Sequence, residues 1–169
     1  MIDKQFVKQM AKYNRWQNAN LYACGDELSD EDRKSELGAF FGSIHATLNH
    51  LLWADRIWMH RFAGTAKPSE DIKASVVRIS NWLDLKQDRE SLDEVILQWA
   101  EGLAEEWLDG ELTWYSGAAQ AEITRPNWIL VSHMFNHQTH HRGQVHCMIT
   151  QYGLKPRDTD LMIMPVSID

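Results

Sequence analysis

Cysteine is scarce in this sequence, with only Cys24 and Cys147 among 169 residues. Two thiols cannot build a disulfide scaffold, and neither belongs to a Cys-x-x-Cys pair, so a cysteine-rich zinc site is excluded as well. This cysteine usage is typical of a reducing compartment. Cys147 has no basic neighbour that the sequence can assign to it, so its thiol is a poor candidate for a nucleophile.

Long apolar stretches and an excess of positive charge are also missing. No run approaches the ~18 apolar residues of a membrane span, and the first residues lack the apolar core of a signal peptide. Lys and Arg number 17 against 24 Asp and Glu, a formal charge of −7, which argues against binding to phosphate backbones. We therefore predict a cytoplasmic protein without a membrane or nucleic-acid partner.

Four segments with helical spacing of apolar residues predict an all-α fold, a four-helix bundle with long connections that forms one domain over residues 1–169. The first helix is expected to begin after Asp3, a good N-cap, and to stop at Gly25. The others are expected from Ser43 to Phe62, from about Ser91 to Leu108 with 80–90 as a candidate extension, and from Pro126 to about Tyr152.

The connections carry weaker signals. Residues 28–42 and 64–80 are polar and predict loops with little regular structure. Residues Leu112 to Thr124 predict a short hairpin or an extended loop before the last helix. The tail from Lys155 is expected to be extended, with apolar residues able to pack against the helices.

Histidine is unusually frequent, with eight in the chain. At ~100° per residue, His45 and His60 of the second predicted helix share a polar wedge with Asn49 and Arg56, which predicts that both are solvated. His50 lies outside that wedge with apolar neighbours. Taken alone, a buried histidine is more often a hydrogen-bonded core residue than a metal ligand.

The last predicted helix changes the interpretation of His50. Its His137 and His141 lie four residues apart on one side, in the middle of an otherwise apolar strip, with His133 and His140 at the strip's edges. Two adjacent imidazoles in an apolar setting are costly to protonate, and a divalent metal resolves this because it takes neutral imidazole nitrogens. Hydrogen bonds from these rings to other helices are the alternative.

A third ligand from another helix would leave open coordination positions, as in catalytic metal sites, and His50 has the best direction. The sequence has no His-Glu-x-x-His metalloprotease motif and no Glu-x-x-His pair of a di-iron bundle. It also offers no unambiguous general base. The candidates for lining a pocket at this site are Tyr13, Trp16, Trp53 and Gln144.

Two segments resemble the DinB family. They are Leu-Asn-His-Leu-Leu-Trp-Ala-Asp-Arg-Ile-Trp at 48–58 and Phe-Asn-His-Gln-Thr-His-His-Arg-Gly-Gln-Val-His at 135–146, supported by Tyr-Asn-x-Trp at 13–16 and by Arg125-Pro126. The resemblance covers nearly the whole chain. It implies a four-helix bundle that forms homodimers and holds one divalent metal, often nickel or zinc, on three histidines. The positions that match are His50, His137 and His141.

The resemblance does not settle the activity. Relatives in the wider superfamily include thiol-dependent S-transferases, a mycothiol-dependent maleylpyruvate isomerase and proteins that resemble metal-dependent hydrolases. The function predicted here is a metal-dependent hydrolase or a thiol-dependent transferase or isomerase, with a small-molecule substrate and a metal-bound water or thiolate as nucleophile. Zinc or nickel is expected, with iron and manganese as alternatives and a low-molecular-weight thiol as a further cosubstrate. The alternative is a non-catalytic metal-binding stress or sensor protein.

Overall fold

The structure is a computed structural model that describes residues 2–117 and 119–165, and it is mostly helical with one small sheet. Its elements, in chain order, are α1 (Lys4–Asp26), α2 (Asp30–Lys34), α3 (Ile44–Ala63), α4 (Ile72–Ser75), α5 (Trp82–Gly102), α6 (Glu105–Leu108), β1 (Glu111–Ser116), β2 (Ala121–Pro126), α7 (Asn127–Thr150) and a 3₁₀ turn, Leu161–Ile163. Within the described ranges, no helix is long and apolar enough to cross a membrane.

The ends of the long helices follow local chemistry. The side chains of Asp3 and Ser43 accept hydrogen bonds from backbone N–H groups in the first turns of α1 and α3, as the sequence predicts. Gly64 follows α3 with φ +66°, a left-handed conformation that glycine adopts without strain. Pro126 ends β2 and takes the N-cap position of α7, one residue before the position that we predicted for it.

The four long helices pack side by side. Helix α1 contacts α5 and α7, and α3 contacts the same two helices. Their shared core is apolar and includes the fully buried Val7, Ile44, Ile96 and Val131. This packing places the inward faces of α3 and α7 against each other, which decides where their histidines meet.

Two predicted helix boundaries were wrong. Gly25 does not stop the first helix but lies inside α1, where a Cβ would approach the Trp82 ring to 2.6 Å. Glycine is therefore required there by the close approach of α5 and not by a turn. The third long helix ends at Gly102 and not at Leu108, whereas its start at Trp82, after the Asn81 cap, falls within the candidate extension, of which residues 82–90 are helical.

The connections contain more structure than the sequence indicates. Short helices α2 and α4 lie within the two predicted loops. The expected hairpin is confirmed as the antiparallel pair β1–β2, with Trp114 opposite Ile123. The tail is held by its backbone carbonyls, since the Tyr13 hydroxyl donates to the Thr159 oxygen at 2.6 Å. Its apolar side chains are largely exposed, contrary to the expectation that they pack: Leu161, Met162 and Ile163.

A buried polar network joins all four long helices. Arg89 on α5 donates to Asp55 on α3 at 2.6 Å and pairs with Asp93 at 2.8 Å. Asp93 also accepts from the Asn14 and Asn18 side-chain amides of α1, at 2.8 and 2.9 Å. Arg142 on α7 donates to the Asn14 side-chain oxygen. The charges balance, with two carboxylates and two guanidinium groups, and all four side chains are buried.

Candidate metal centre

His50, His137 and His141 meet where α3 packs against α7. Each offers one ring nitrogen, and these nitrogens all lie within 4.8 Å of one another. The ring centroids of His137 and His141 are 4.4 Å apart, and that of His50 lies 5.5 and 5.1 Å from them. His50 and His141 are buried and His137 is partly exposed. The structure thus brings together the three residues that the sequence selects.

Two neighbours fix which nitrogen of the buried rings faces the cluster. The Ser75 hydroxyl donates its hydrogen to the Ile72 carbonyl at 2.7 Å, so it accepts from His50 Nδ1 at 3.1 Å. The Gln144 side-chain oxygen accepts from His141 Nδ1 at 2.8 Å. A neutral imidazole with its hydrogen on Nδ1 has a lone pair on Nε2. Both rings therefore present a ligand atom to the centre, with the outer nitrogen held as in known metal sites.

The spacing of the ring nitrogens fits a shared ion. His137 Nε2 lies 3.1 Å from His141 Nε2. Two nitrogens that are each about 2.0–2.2 Å from one divalent ion are separated by a similar distance. The donor set is made of imidazoles alone, which suits zinc, nickel or another borderline transition metal. The residues present therefore fit the ion that the sequence predicts.

Burial keeps these rings neutral. Desolvation lowers the pKa of His50 to about 4 and that of His137 to about 3, with smaller contributions from the neighbouring imidazoles. Desolvation also lowers the pKa of His141, although the Gln144 hydrogen bond opposes it. At neutral pH these rings are therefore uncharged, and metal binding does not have to displace an imidazolium proton.

Aromatic rings cover the centre on the side of His50. The Phe41 ring lies 4.0 Å from the His50 ring and 5.4 Å from the His141 ring, and Trp53 lies 5.7 Å from His50. Trp53 and Gln144 were among the predicted lining residues. Sequence reasoning missed Phe41 and Ser75, which precede α3 and end α4, since loop residues carry no periodic signal.

Two other predicted lining residues lie elsewhere. Tyr13 binds the tail and has Arg142 over its ring at 5.7 Å, and Trp16 packs on Tyr13 with centroids 5.9 Å apart. Their place on α1 puts them next to α5, α7 and the tail, whereas the centre lies between α3 and α7. His133 and His140 flank the cluster as exposed residues.

The predicted solvation of His45 was wrong. Its ring is buried, and Nε2 donates to the Ile79 carbonyl at 2.7 Å. Asn49 binds both the N–H and the carbonyl of the same residue, at 2.9 and 3.0 Å. His45 and Asn49 of the polar wedge therefore fix the segment that leads into α5. His60, the other histidine of the wedge, is half-buried and contacts the Thr65 carbonyl at 2.7 Å.

We expect His45 to make the folded state sensitive to acid. Desolvation lowers its pKa in the native protein, whereas the unfolded chain takes up a proton below pH 6.5. The unfolded state then binds more protons, so stability falls as the pH falls, by at most about 1.4 kcal/mol per pH unit for this group. Urea unfolding of the wild type and His45→Gln from pH 7.5 to 5 measures the effect.

The His45→Gln variant should lose less stability than the wild type over this range, because glutamine donates a hydrogen bond without titrating. His146→Gln is the control, since it replaces a histidine on α7 outside this contact. Parallel pH curves for the wild type and His45→Gln would contradict the prediction.

Comparisons with known proteins agree on one family. A sequence model of the DinB family matches residues 1–167. Protein DinB of Bacillus subtilis (strain 168) is 26% identical over 163 residues, which cover 92% of this chain and 91% of that protein. The crystal structure of a DinB-like protein from Bacillus cereus ATCC 10987 superposes with a TM-score of 0.63 at 16% identity, over 84% of this chain and 89% of that chain. The structural likeness supports the fold.

Proposed function

Because the chain belongs to the DinB family, whose sequence model spans residues 1–167, we propose that it is a divalent-metal-dependent enzyme for a small-molecule substrate. The reaction would be a hydrolysis or a thiol-dependent transfer or isomerisation. The observation that carries the proposal is the cluster of three imidazole nitrogens within 4.8 Å of one another. His50, His137 and His141 would hold the ion.

The donor set favours a catalytic centre over a closed structural one. Within the described ranges, the ligand group contains three histidines and no carboxylate or thiolate. Structural zinc sites use four protein ligands, whereas three protein ligands leave a position for water or substrate. His137 is partly exposed, which supports access from solvent on that side.

An ion held by neutral imidazoles would keep its full +2 charge and lower the pKa of a water or thiol ligand. Ser75 and Gln144 hold the rings of His50 and His141 with their Nε2 atoms toward the centre. Phe41 covers the His50 ring at 4.0 Å, which excludes water from that side. Substrate would therefore approach from the side of His137.

The finer architecture is part of the proposal. The contacts among the four long helices and the family match support one DinB-like four-helix bundle over residues 1–169. The homodimer that the resemblance implies stays a prediction. It is supported by large apolar side chains that are exposed in the single chain, such as Phe40 at 79% and Val77 at 72%.

Metal content tests the ligand set directly. We expect about one divalent ion per chain in the wild type and a nearly complete loss in His50→Ala and His137→Ala, because each variant removes one of three ligands. His60→Ala on α3 and His146→Ala on α7 are the matched controls and should keep the ion. Elemental analysis of the purified proteins measures this. Equal metal content in all five proteins would contradict the proposal.

Activity then distinguishes an enzyme from a metal-binding protein without turnover. A screen of ester and amide substrates and of thiols paired with electrophiles should give an activity that the ligand variants lose and the controls retain. A metal-loaded wild type without turnover on either set would favour the stress or sensor alternative.

A further inference from the structure

Arg61 on α3 differs from the other half-buried or buried arginines of long helices. In residues 2–117 and 119–165, no carboxylate lies within ion-pair distance of it and no hydrogen-bond acceptor pairs with it. Arg15, Arg56 and Arg89, by contrast, each pair with a carboxylate. Burial lowers the pKa of the Arg61 guanidinium, with no opposing carboxylate. A half-buried guanidinium without a carboxylate partner is a suitable site for an anion from solution.

Two indole rings hold the Arg61 guanidinium in place. Its central carbon lies 4.5 Å from the Trp58 ring and 5.1 Å from the Trp114 ring. These rings belong to α3 and to the hairpin, and their centroids are 6.0 Å apart at 70°. The two centroids are closer together than rings on opposite faces of the group would be, so the indoles contact the guanidinium from adjacent sides. Its N–H groups on the side away from the rings are left to donate to a ligand.

Arg61 lies on the same side of α3 as His50. Eleven residues at ~100° each bring it back to within about 20° of the His50 direction, roughly 16 Å further along the axis. From the centre toward Arg61, the His133 ring lies 5.8 Å from the His137 ring and 5.2 Å from the Trp58 ring. Desolvation lowers the pKa of His133, and the positive charge of Arg61 adds to this effect. A continuous row of rings thus connects the three histidines with the unpaired guanidinium.

We propose that Arg61 binds the carboxylate of an organic acid whose reacting group lies at the three histidines. The carboxylate site is argued from the contacts of Arg61, whereas the placement of the reacting group at the histidines rests on the proposed function. A guanidinium and a carboxylate pair through two parallel hydrogen bonds. One unpaired cation matches a monoanion better than a phosphate dianion. The indoles of Trp58 and Trp114 favour a flat or apolar body, and the spacing requires several bonds between the acid and the reacting group.

The test measures binding by full-length protein, both metal-loaded and metal-free, through tryptophan fluorescence. The probe is 3-phenylpropanoate, with 3-phenylpropanamide as its neutral match and inorganic phosphate as the rival anion. We expect the wild type to bind the acid at least about tenfold more tightly than the amide. Arg61→Gln should lose about tenfold or more in affinity for the acid in both metal states, with no change for the amide. Arg125→Gln on the hairpin is the control and should match the wild type.

Arg61→Lys keeps the positive charge but lacks the paired N–H donors of the guanidinium, so we expect an affinity for the acid between those of the wild type and Arg61→Gln. If Arg61→Gln does not fold, Arg61→Lys is compared with the wild type in its place. Acid binding that is unchanged in Arg61→Gln, absent in the wild type, or dependent only on the metal would overturn the inference. Tighter Arg61-dependent binding of phosphate would overturn the carboxylate assignment. If the protein takes up no divalent ion when one is offered, yet still binds the acid through Arg61, the proposed function is contradicted and the carboxylate site stands.

Discussion

Adding zinc or nickel to the metal-free protein should raise its free energy of unfolding by about 4 kcal/mol when the free ion is at about 1,000 times its dissociation constant. The reason is that the three nitrogens converge only when α3 lies against α7, so the folded state binds the ion and the unfolded chain lacks the site. For a chain of this length, about 2–4 °C per kcal/mol predicts a rise in Tm of roughly 8–16 °C. Calorimetry with and without added ion measures it.

The same experiment separates a catalytic ion from a structural one. The core between the long helices is apolar and continuous without the histidines, so the metal-free protein should stay folded and unfold cooperatively. His137→Ala should lose the shift in Tm, and His146→Ala should keep it. If chelation alone abolishes the near-UV circular dichroism of the tryptophans, the ion is structural and the proposal of an enzyme loses its main support.

Asp93→Ala should destabilise the protein by about 3–5 kcal/mol, because it removes one partner of a buried ion pair and leaves the other in place. Asp93 is 3% exposed, forms an ion pair with Arg89 at 2.8 Å and accepts hydrogen bonds from Asn14 and Asn18. All three residues would lose that partner inside the core. Urea unfolding with an unchanged m-value checks the loss.

Glu94→Ala is the matched control, one residue further along α5. Glu94 pairs with Arg15 at 2.9 Å, but its side chain is 54% exposed. Surface pairs contribute little, so we expect a change within about 1 kcal/mol. A loss for Asp93→Ala as small as that for Glu94→Ala would mean that water or a rearranged Arg89 replaces the missing carboxylate.

The candidate ligands could be found from the sequence because all three lie on long helices with clear ends. Ser43 and Gly64 mark the two ends of α3, so the direction of His50 follows from helix geometry alone. The four-residue spacing of His137 and His141 places both rings on one side of α7 without any tertiary information. The resemblance to the DinB family selects the same residues. Their approach to one another then depends only on α3 and α7 being neighbours.

The errors concern contacts between residues that are distant in sequence. Gly25 resembles a helix stop until Trp82 is known to lie against it, and His45 looks solvated until the Ile79 carbonyl reaches it. The sequence likewise gives no sign that the hairpin brings Trp114 to Arg61, which lies against Trp58 of its own helix. Helical periodicity predicts on which face of its own helix a residue lies, but not which distant residues of the chain contact it.

The packing of α1 has a consequence for synthesis on the ribosome. Helix α1 emerges before α5 and α7, both of which it contacts, and the Asn14 oxygen finds its donor, Arg142, 128 residues later in the chain. At about 5–20 residues per second, the Asn14 side chain would wait roughly 6–26 s for that donor. The face of α1 that packs on α7 is therefore uncovered for that time in the nascent chain, and it is a candidate surface for chaperone protection.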